Sequence, residues 1–282
     1  MEKIIAVAGS GTMGSGIAFS AAQAGYNVVL YDLNKELLEK AGNSIKSNLQ
    51  FLLKKNKIDD LKAEQIAAQI KFSNDLNDCK ADIITEAIIE KIDIKKQLFS
   101  KLAEINKSET IFASNTSSLS ISQIQEGIKN EERVAGLHFF NPANVMKLVE
   151  VVKGKNTSQQ TIDNLVLFSQ TLGKTPVICT DSPGFIVNRV ARHFYLEALH
   201  IAETGEATPA QIDAQLESAG FKMGPFKLMD MIGMDINLAV SQSLYEAFNK
   251  AIRFKPSALQ ESKVLNGDLG RKTGKGFYTY NS

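Results

Sequence analysis

Gly9, Gly11 and Gly14 stand at G-x-G-x-x-G spacing directly behind a short apolar run, IIAVA, and a lone acid, Asp32, follows about twenty residues further on. Glycines so placed let a backbone turn tightly, admit a pyrophosphate where a side chain would block it, and let a helix pack close on a strand. The helix that follows would turn free N–H groups and a positive dipole end toward the phosphates, with Thr12 and Met13 just before it among the candidate cofactor contacts. Asp32 would accept hydrogen bonds from ribose hydroxyls. Its charge would repel a 2′-phosphate, which favours NAD over NADP. The alternative is a glycine turn with a purely structural purpose.

Only three histidines occur, His138, His193 and His200. His193 and His200 lie two helical turns apart and share a face, where structural or surface roles suffice for both. His138 differs. It stands in AGLHFFNP, just past an apolar run and before an Asn-Pro turn. In doubly wound sheets, ligands sit at the carboxyl ends of the strands. Glu150 follows in the next apolar strand, LVEVV, so imidazole and carboxylate can meet across neighbouring strands. An alcohol gives up hydride only if its proton leaves too. Imidazole accepts that proton near neutral pH, and a carboxylate orients the ring and steadies its charged form. A core histidine satisfied by a buried glutamate explains the spacing equally well.

The elements that must position these groups alternate. Residues 4–8 read as a buried strand, 14–24 as a helix stopped by Gly25, and 26–31 as a second strand. Residues 35–70 read as a lysine-rich helical hairpin bent near 56–60, an insertion that the doubly wound fold does not need at this point. Strands are expected at 81–86, 110–113, 133–139, 148–152 and 175–180, with helices at 95–105, 121–128 and 158–172. This pattern implies a largely parallel sheet covered on both faces, a Rossmann arrangement. Beyond DSPGF the pattern turns helical, at 185–203, 209–218, 225–232, 236–252 and 257–264. Thr208, Pro209 and Gln211 form a capping signature, Asp235 is the expected cap of the fourth helix, and FYTY near the end reads as a strand. The chain therefore divides into a dinucleotide-binding domain, 1–183, and a smaller all-helical domain, 184–282.

With 282 residues, 44% hydrophobic and 22% charged, the composition is that of a globular protein. A net charge of +1 gives no reason to expect a nucleic-acid surface or an affinity for anionic membranes. Two distant cysteines, Cys79 and Cys179, show no metal-ligand spacing and point to a reducing, cytoplasmic setting. No run approaches a membrane span, and no metal is expected. The N-terminal Ala-Val-Ala comes too early for a signal peptide, Glu2 offsets Lys3, and the terminal TYNS is no retention or peroxisomal address.

The runs SNTSSLSI, GLHFFNP, MKLVEVV, DSPGFIVNR, MGPFKLMD and KTGKGFY, in this order behind the glycines, resemble the 3-hydroxyacyl-CoA dehydrogenase family over essentially the whole chain. Within it the resemblance is greatest to the stand-alone 3-hydroxybutyryl-CoA dehydrogenases. The resemblance implies NAD as cofactor and an acyl-CoA as substrate. It makes His138 the general base, Glu150 its partner, and Ser117 and Asn188 the groups that hold the substrate. It places Glu90, Lys95, Asn141 and Lys272 at the cofactor. In this family an inserted helical pair receives coenzyme A, which gives Lys54, Lys55 and Lys57 an anionic ligand, although residue pattern alone favours a solvated face. Lys55 falls on a matching lysine, while Asn48 stands where relatives carry serine. The resemblance further implies a homodimer or larger assembly built on the helical domain, which also closes the cleft.

Two other functions compete. A β-hydroxyacid dehydrogenase acting on a small free acid would use a catalytic lysine, and HFFNP would be out of place in it. A non-catalytic nucleotide-binding protein would have no use for the His138 and Glu150 pair.

Overall fold

The computed structural model describes residues 3–280. Met1, Glu2, Asn281 and Ser282, on which parts of the leader and tail readings rest, lie outside the described residues. The chain forms two compact units, Met1–Ser182 and Pro183–Ser282.

The first unit begins with β1 (Ile4–Ala8), α1 (Thr12–Gln23) and β2 (Asn27–Tyr31). Both strands are buried for four of their five residues, as their β-branched runs demand. Then come α2 (Lys35–Lys54) and α3 (Asp60–Ala68), capped by the side chains of Asn34 and Asp59. The turn between them passes through Asn56 at φ 51°, a left-handed conformation that asparagine tolerates. β3 (Ile70–Ser73) follows, then β4 (Ile83–Glu86), α4 (Ile92–Ile105), β5 (Ile111–Ser114) and α5 (Ile121–Gln125). The unit closes with β6 (Val134–Phe139), β7 (Leu148–Lys153), α6 (Gln159–Thr171) and β8 (Thr175–Thr180).

The strands make one 8-stranded sheet in the order β3-β2-β1-β4-β5-β6-β7-β8. Neighbours run parallel except β6 and β7, which are antiparallel. The order reverses direction at β1, which pairs with β2 on one side and β4 on the other. A crevice opens there at the carboxyl ends of the strands. α2 and α3 make the crossover from β2 to β3, where one helix would serve. β3 is the strand that the sequence reading missed: only four residues, IKFS, buried at Ile70 and Ser73 and exposed between them, directly behind a helix. α5 is also shorter than expected.

The second unit contains α7 (Val187–Glu203), α8 (Pro209–Ser218), α9 (Pro225–Ile232), α10 (Met234–Ala247) and α11 (Ala258–Leu265) around a core that includes Tyr195, Leu199, Phe226, Met229 and Met234. The capping box of Thr208 and Gln211 forms as read. Three expectations change. α10 is capped by the Gly233 backbone, and Asp235 sits inside its first turn, paired with Lys272. α10 stops at Ala247 because Asn249 and Lys250 take left-handed φ angles of 52° and 57°. FYTY forms no strand: the N–H groups of Phe277 and Tyr278 donate to the buried Asp230 carboxylate, which also accepts the Tyr280 hydroxyl. Among the described residues no helix is long and apolar enough to cross a membrane.

Candidate active site

The glycine loop links β1 to α1. A Cβ on Gly14 would strike the Gly9 carbonyl oxygen, and one on Gly9 would strike the Ala87 carbonyl. Both positions require glycine for close packing, and Gly9 also needs its φ of 103°. Gly11 differs: nothing lies within 4 Å of where its Cβ would be. The absence of a side chain there keeps open the space before the first turn of α1, which has no side-chain cap and no acid. Phosphate oxygens suit such a terminus. Thr12 is exposed at it, while Met13 packs against the core.

Asp32 is already organised. Its Oδ2 accepts the Ser10 N–H at 2.8 Å and the Ser10 hydroxyl at 3.0 Å, and Oδ1 accepts the Asn34 N–H at 2.9 Å. Ser10, missed by the sequence reading, thus ties the acid to the glycine loop. Gly9, Gly11, Tyr31, Asp32, Leu37 and Ile88 are among the residues lining a mainly apolar cavity of about 520 Å³ beside this loop. An adenosine suits an apolar slot with a carboxylate at its rim.

On the other side of the switch point, His138 on β6 and Glu150 on β7 are register partners. His138 Nδ1 and Glu150 Oε2 lie 2.8 Å apart, with both residues buried, at 6% and 1% exposure. With Glu150 ionised, Nδ1–H donates to it, and Nε2 becomes the atom at which the ring exchanges a proton. The Phe140 ring lies 4.5 Å from the imidazole, centroid to centroid. Asn115, at the end of β5, accepts the Phe139 N–H at 2.8 Å on Oδ1 and so anchors the strand beside His138. An amide ending an apolar strand was the only sequence signal for it.

Ser117 lies in the loop after β5, its N–H donating to Glu90 Oε1 at 3.2 Å. The Asp181 carboxylate braces that loop, accepting from the Ser120 hydroxyl and from the N–H groups of Ile121 and Ser122. Lys95 Nζ pairs with Glu86 at 2.5 Å and Glu90 at 3.1 Å. Asn141 is exposed at the start of the 140–147 loop. Lys174, also missed, holds this loop by donating to the carbonyls of Ala143 and Met146 at 2.5 and 2.9 Å.

On α2, Lys40, Ser44 and Asn48 recur at helical spacing and line a cavity of about 360 Å³ with Ser10, Thr12 and Asn144. Lys54, Lys55 and Lys57 are exposed beyond it. In the helical unit, Asn188 lies in the first turn of α7, and Lys272 is taken up by Asp235 at 2.5 Å. Among the described residues there is no cluster of histidine, cysteine or carboxylate groups fit for a metal.

A glycine-floored crevice at a sheet's switch point, with a strand-end acid beside it, defines the class of nicotinamide dinucleotide-binding domains. The particular family follows from comparison: the chain belongs to the 3-hydroxyacyl-CoA dehydrogenases, residues 4–182 matching the NAD binding domain and 184–280 the C-terminal domain. It is 46% identical over 278 residues, 98% of its length, to the 3-hydroxyadipyl-CoA dehydrogenase of Escherichia coli, of which it spans 58%. It is 41% identical over 288 residues to the mitochondrial hydroxyacyl-coenzyme A dehydrogenase of Sus scrofa, covering 99% of this chain and 92% of that one. Among solved structures, (S)-3-hydroxybutyryl-CoA dehydrogenase from Ralstonia eutropha superposes with a TM-score of 0.95 at 37% identity, covering 100% of both chains.

Proposed function

We propose that this chain is an NAD-dependent L-3-hydroxyacyl-CoA dehydrogenase with short-chain preference, interconverting (S)-3-hydroxybutyryl-CoA and acetoacetyl-CoA. The observation that carries this reading is the buried His138–Glu150 pair, 2.8 Å apart. NAD, when bound, accepts hydride from the substrate C3 in oxidation, and its reduced form returns it in the other direction.

Gly9, Gly11 and Gly14, with the first turn of α1 at Thr12 and Met13, hold the pyrophosphate, and Asp32 holds the adenosine ribose. Glu90, Lys95 and Asn141 complete the cofactor contacts of this unit, whereas Lys272, which the resemblance also places at the cofactor, is paired with Asp235 in the second unit. His138 takes the substrate hydroxyl proton at Nε2 in oxidation and gives it back in reduction. Glu150 keeps the proton on Nδ1 and stabilises the imidazolium. Ser117, and in the second unit Asn188, hold the reacting end of the substrate, bringing its atoms near contact distance. Asn48, with Lys54 and Lys55, receives coenzyme A. The helical unit, 184–282, serves substrate binding and assembly into a homodimer or higher oligomer, and 1–183 serves the dinucleotide.

The test is the oxidation of NADH, followed by absorbance, with acetoacetyl-CoA against free acetoacetate. Turnover of the thioester alone supports the reading, and turnover of the free acid alone refutes it. A longer 3-ketoacyl-CoA and a 3-ketoacyl-CoA ending in a carboxylate, run alongside, set the chain-length preference.

A further inference from the structure

A ring of polar groups lies beneath the crevice at the ends of β4 and β5. Glu86, the last residue of β4, is 0% exposed, and Lys95 is 1% exposed. Glu86 Oε1 accepts from Lys95 Nζ at 2.5 Å and from the Ile88 N–H at 2.7 Å. Its Oε2 accepts from the hydroxyl of Ser114, its register partner on β5, at 2.7 Å. Ser114 Oγ accepts the Thr116 N–H at 3.3 Å, and the Thr116 hydroxyl donates to Glu90 Oε1 at 2.5 Å. Lys95 closes the ring on Glu90 Oε2 at 3.1 Å.

A buried carboxylate is costly unless both of its oxygens find donors and its charge a partner. Glu86 meets all three conditions, and its two oxygens serve two different segments. Oε1 holds 87–95, the stretch that carries Glu90 and Lys95. The glycine loop rests on the same stretch, since a Cβ on Gly9 would strike the Ala87 carbonyl. Oε2 holds the end of β5, from which the loop bearing Ser117 departs. Beyond Glu86 and Ser114 the β4–β5 ladder ends, apart from the Asn115 N–H donating to the Glu86 carbonyl.

We propose that Glu86 is a positioning residue of the hydride-transfer site, one oxygen setting the cofactor-side segment through Lys95 and Ile88, the other setting the substrate-side loop through Ser114. Neither function was visible in sequence, where Glu86 only ends an apolar run. The proposal rests on the dehydrogenase reading above.

The test uses Glu86→Gln, Ser114→Ala and the double variant of the full chain. Each is measured for NADH affinity by fluorescence titration, for kcat and KM with acetoacetyl-CoA, and for melting temperature. Ser114→Ala cuts only the substrate-side arm. It lowers kcat/KM by about 10- to 100-fold while NADH affinity stays within about twofold of wild type. Glu86→Gln removes the charge that pairs with Lys95 and turns one of the two acceptor oxygens into a donor, so the two arms no longer share one carboxylate. It weakens NADH binding about tenfold and lowers kcat/KM at least as far as Ser114→Ala. The double variant is no worse in kcat/KM than Glu86→Gln alone. Variants that only melt earlier, with wild-type kcat, KM and NADH affinity in the folded fraction, overturn the proposal. If Glu86→Gln does not fold, Ser114→Ala decides alone, and a wild-type kcat/KM overturns it. A wild-type protein that binds NADH yet leaves acetoacetyl-CoA unreduced refutes the substrate reading instead. NADH titration of Glu86→Gln then still decides the cofactor arm, an unchanged affinity overturning it.

Discussion

His138 and Glu150 face each other across the antiparallel β6–β7 pair, with Nδ1 and Oε2 2.8 Å apart. Directly opposed residues of an antiparallel pair send their side chains to the same face, with Cβ atoms roughly 5 Å apart. The strands on which the pair rides are buried throughout their middle positions, so the contact is held by the sheet rather than by a loop. The proton exchange proposed for this ring would draw on that rigidity.

Glu150→Gln keeps the shape of the pair and removes its charge. The imidazolium loses its stabilising partner, and the amide no longer dictates which nitrogen carries the proton. Turnover with acetoacetyl-CoA falls by about 10²- to 10⁴-fold. NADH affinity, measured by fluorescence, stays near wild type, because Glu150 lies on β7, while the glycine loop and Asp32 follow β1 and β2 on the other side of the sheet.

Asp32→Ala removes the acceptor of the Ser10 N–H and hydroxyl and of the Asn34 N–H. Hydrogen bonds to a charged group contribute about 1.5–3 kcal/mol. The variant binds NADH at least about tenfold more weakly. Its preference for NADH over NADPH narrows, since the charge that repels a 2′-phosphate is gone. Titration with both reduced cofactors checks this, and an undiminished preference places the discrimination elsewhere.

Lys174→Met removes the donor to the Ala143 and Met146 carbonyls and costs about 1–3 kcal/mol in stability. Burial holds the Lys174 ammonium below the usual lysine range. For a base depressed in the folded state, the charged form is disfavoured by folding. The wild-type protein therefore gains stability as pH rises from the lowered folded value toward the unfolded value of about 10.4. The neutral amine still donates to both carbonyls. The gap in melting temperature between wild type and variant accordingly widens from pH 7 toward pH 10, as thermal unfolding across that range shows. A gap that narrows contradicts the depressed titration.

Much of the sheet was legible because parallel strands buried on both faces read as short β-branched runs between helices. β1, buried at four of its five residues, falls where its residues place it, and so does β8, although it is an edge strand with no buried residue. The glycine spacing and Asp32 were equally clear, since each residue answers a local steric or charge requirement. β3 was not, because a four-residue edge strand with two exposed positions carries too little pattern to stand out behind a helix. Ser10, Glu86, Asn115, Lys174 and Asp181 also escaped. Each acts through tertiary hydrogen bonds, some spanning more than twenty residues, and serine, asparagine and strand-end acids are ordinary turn chemistry until those partners are known. Asp235 misled for the opposite reason: it satisfies a capping pattern locally, but Lys272 claims its carboxylate and the glycine before α10 starts the helix.

The most direct test of the proton-transfer assignment is one pair of absorbance traces following NADH oxidation with acetoacetyl-CoA, for the wild-type protein and for His138→Gln, with NADH affinity titrated in parallel. The account predicts that the variant binds NADH as before and loses about 10³- to 10⁴-fold in kcat. A variant that turns over at the wild-type rate would show that the imidazole opposite Glu150 exchanges no proton with the substrate.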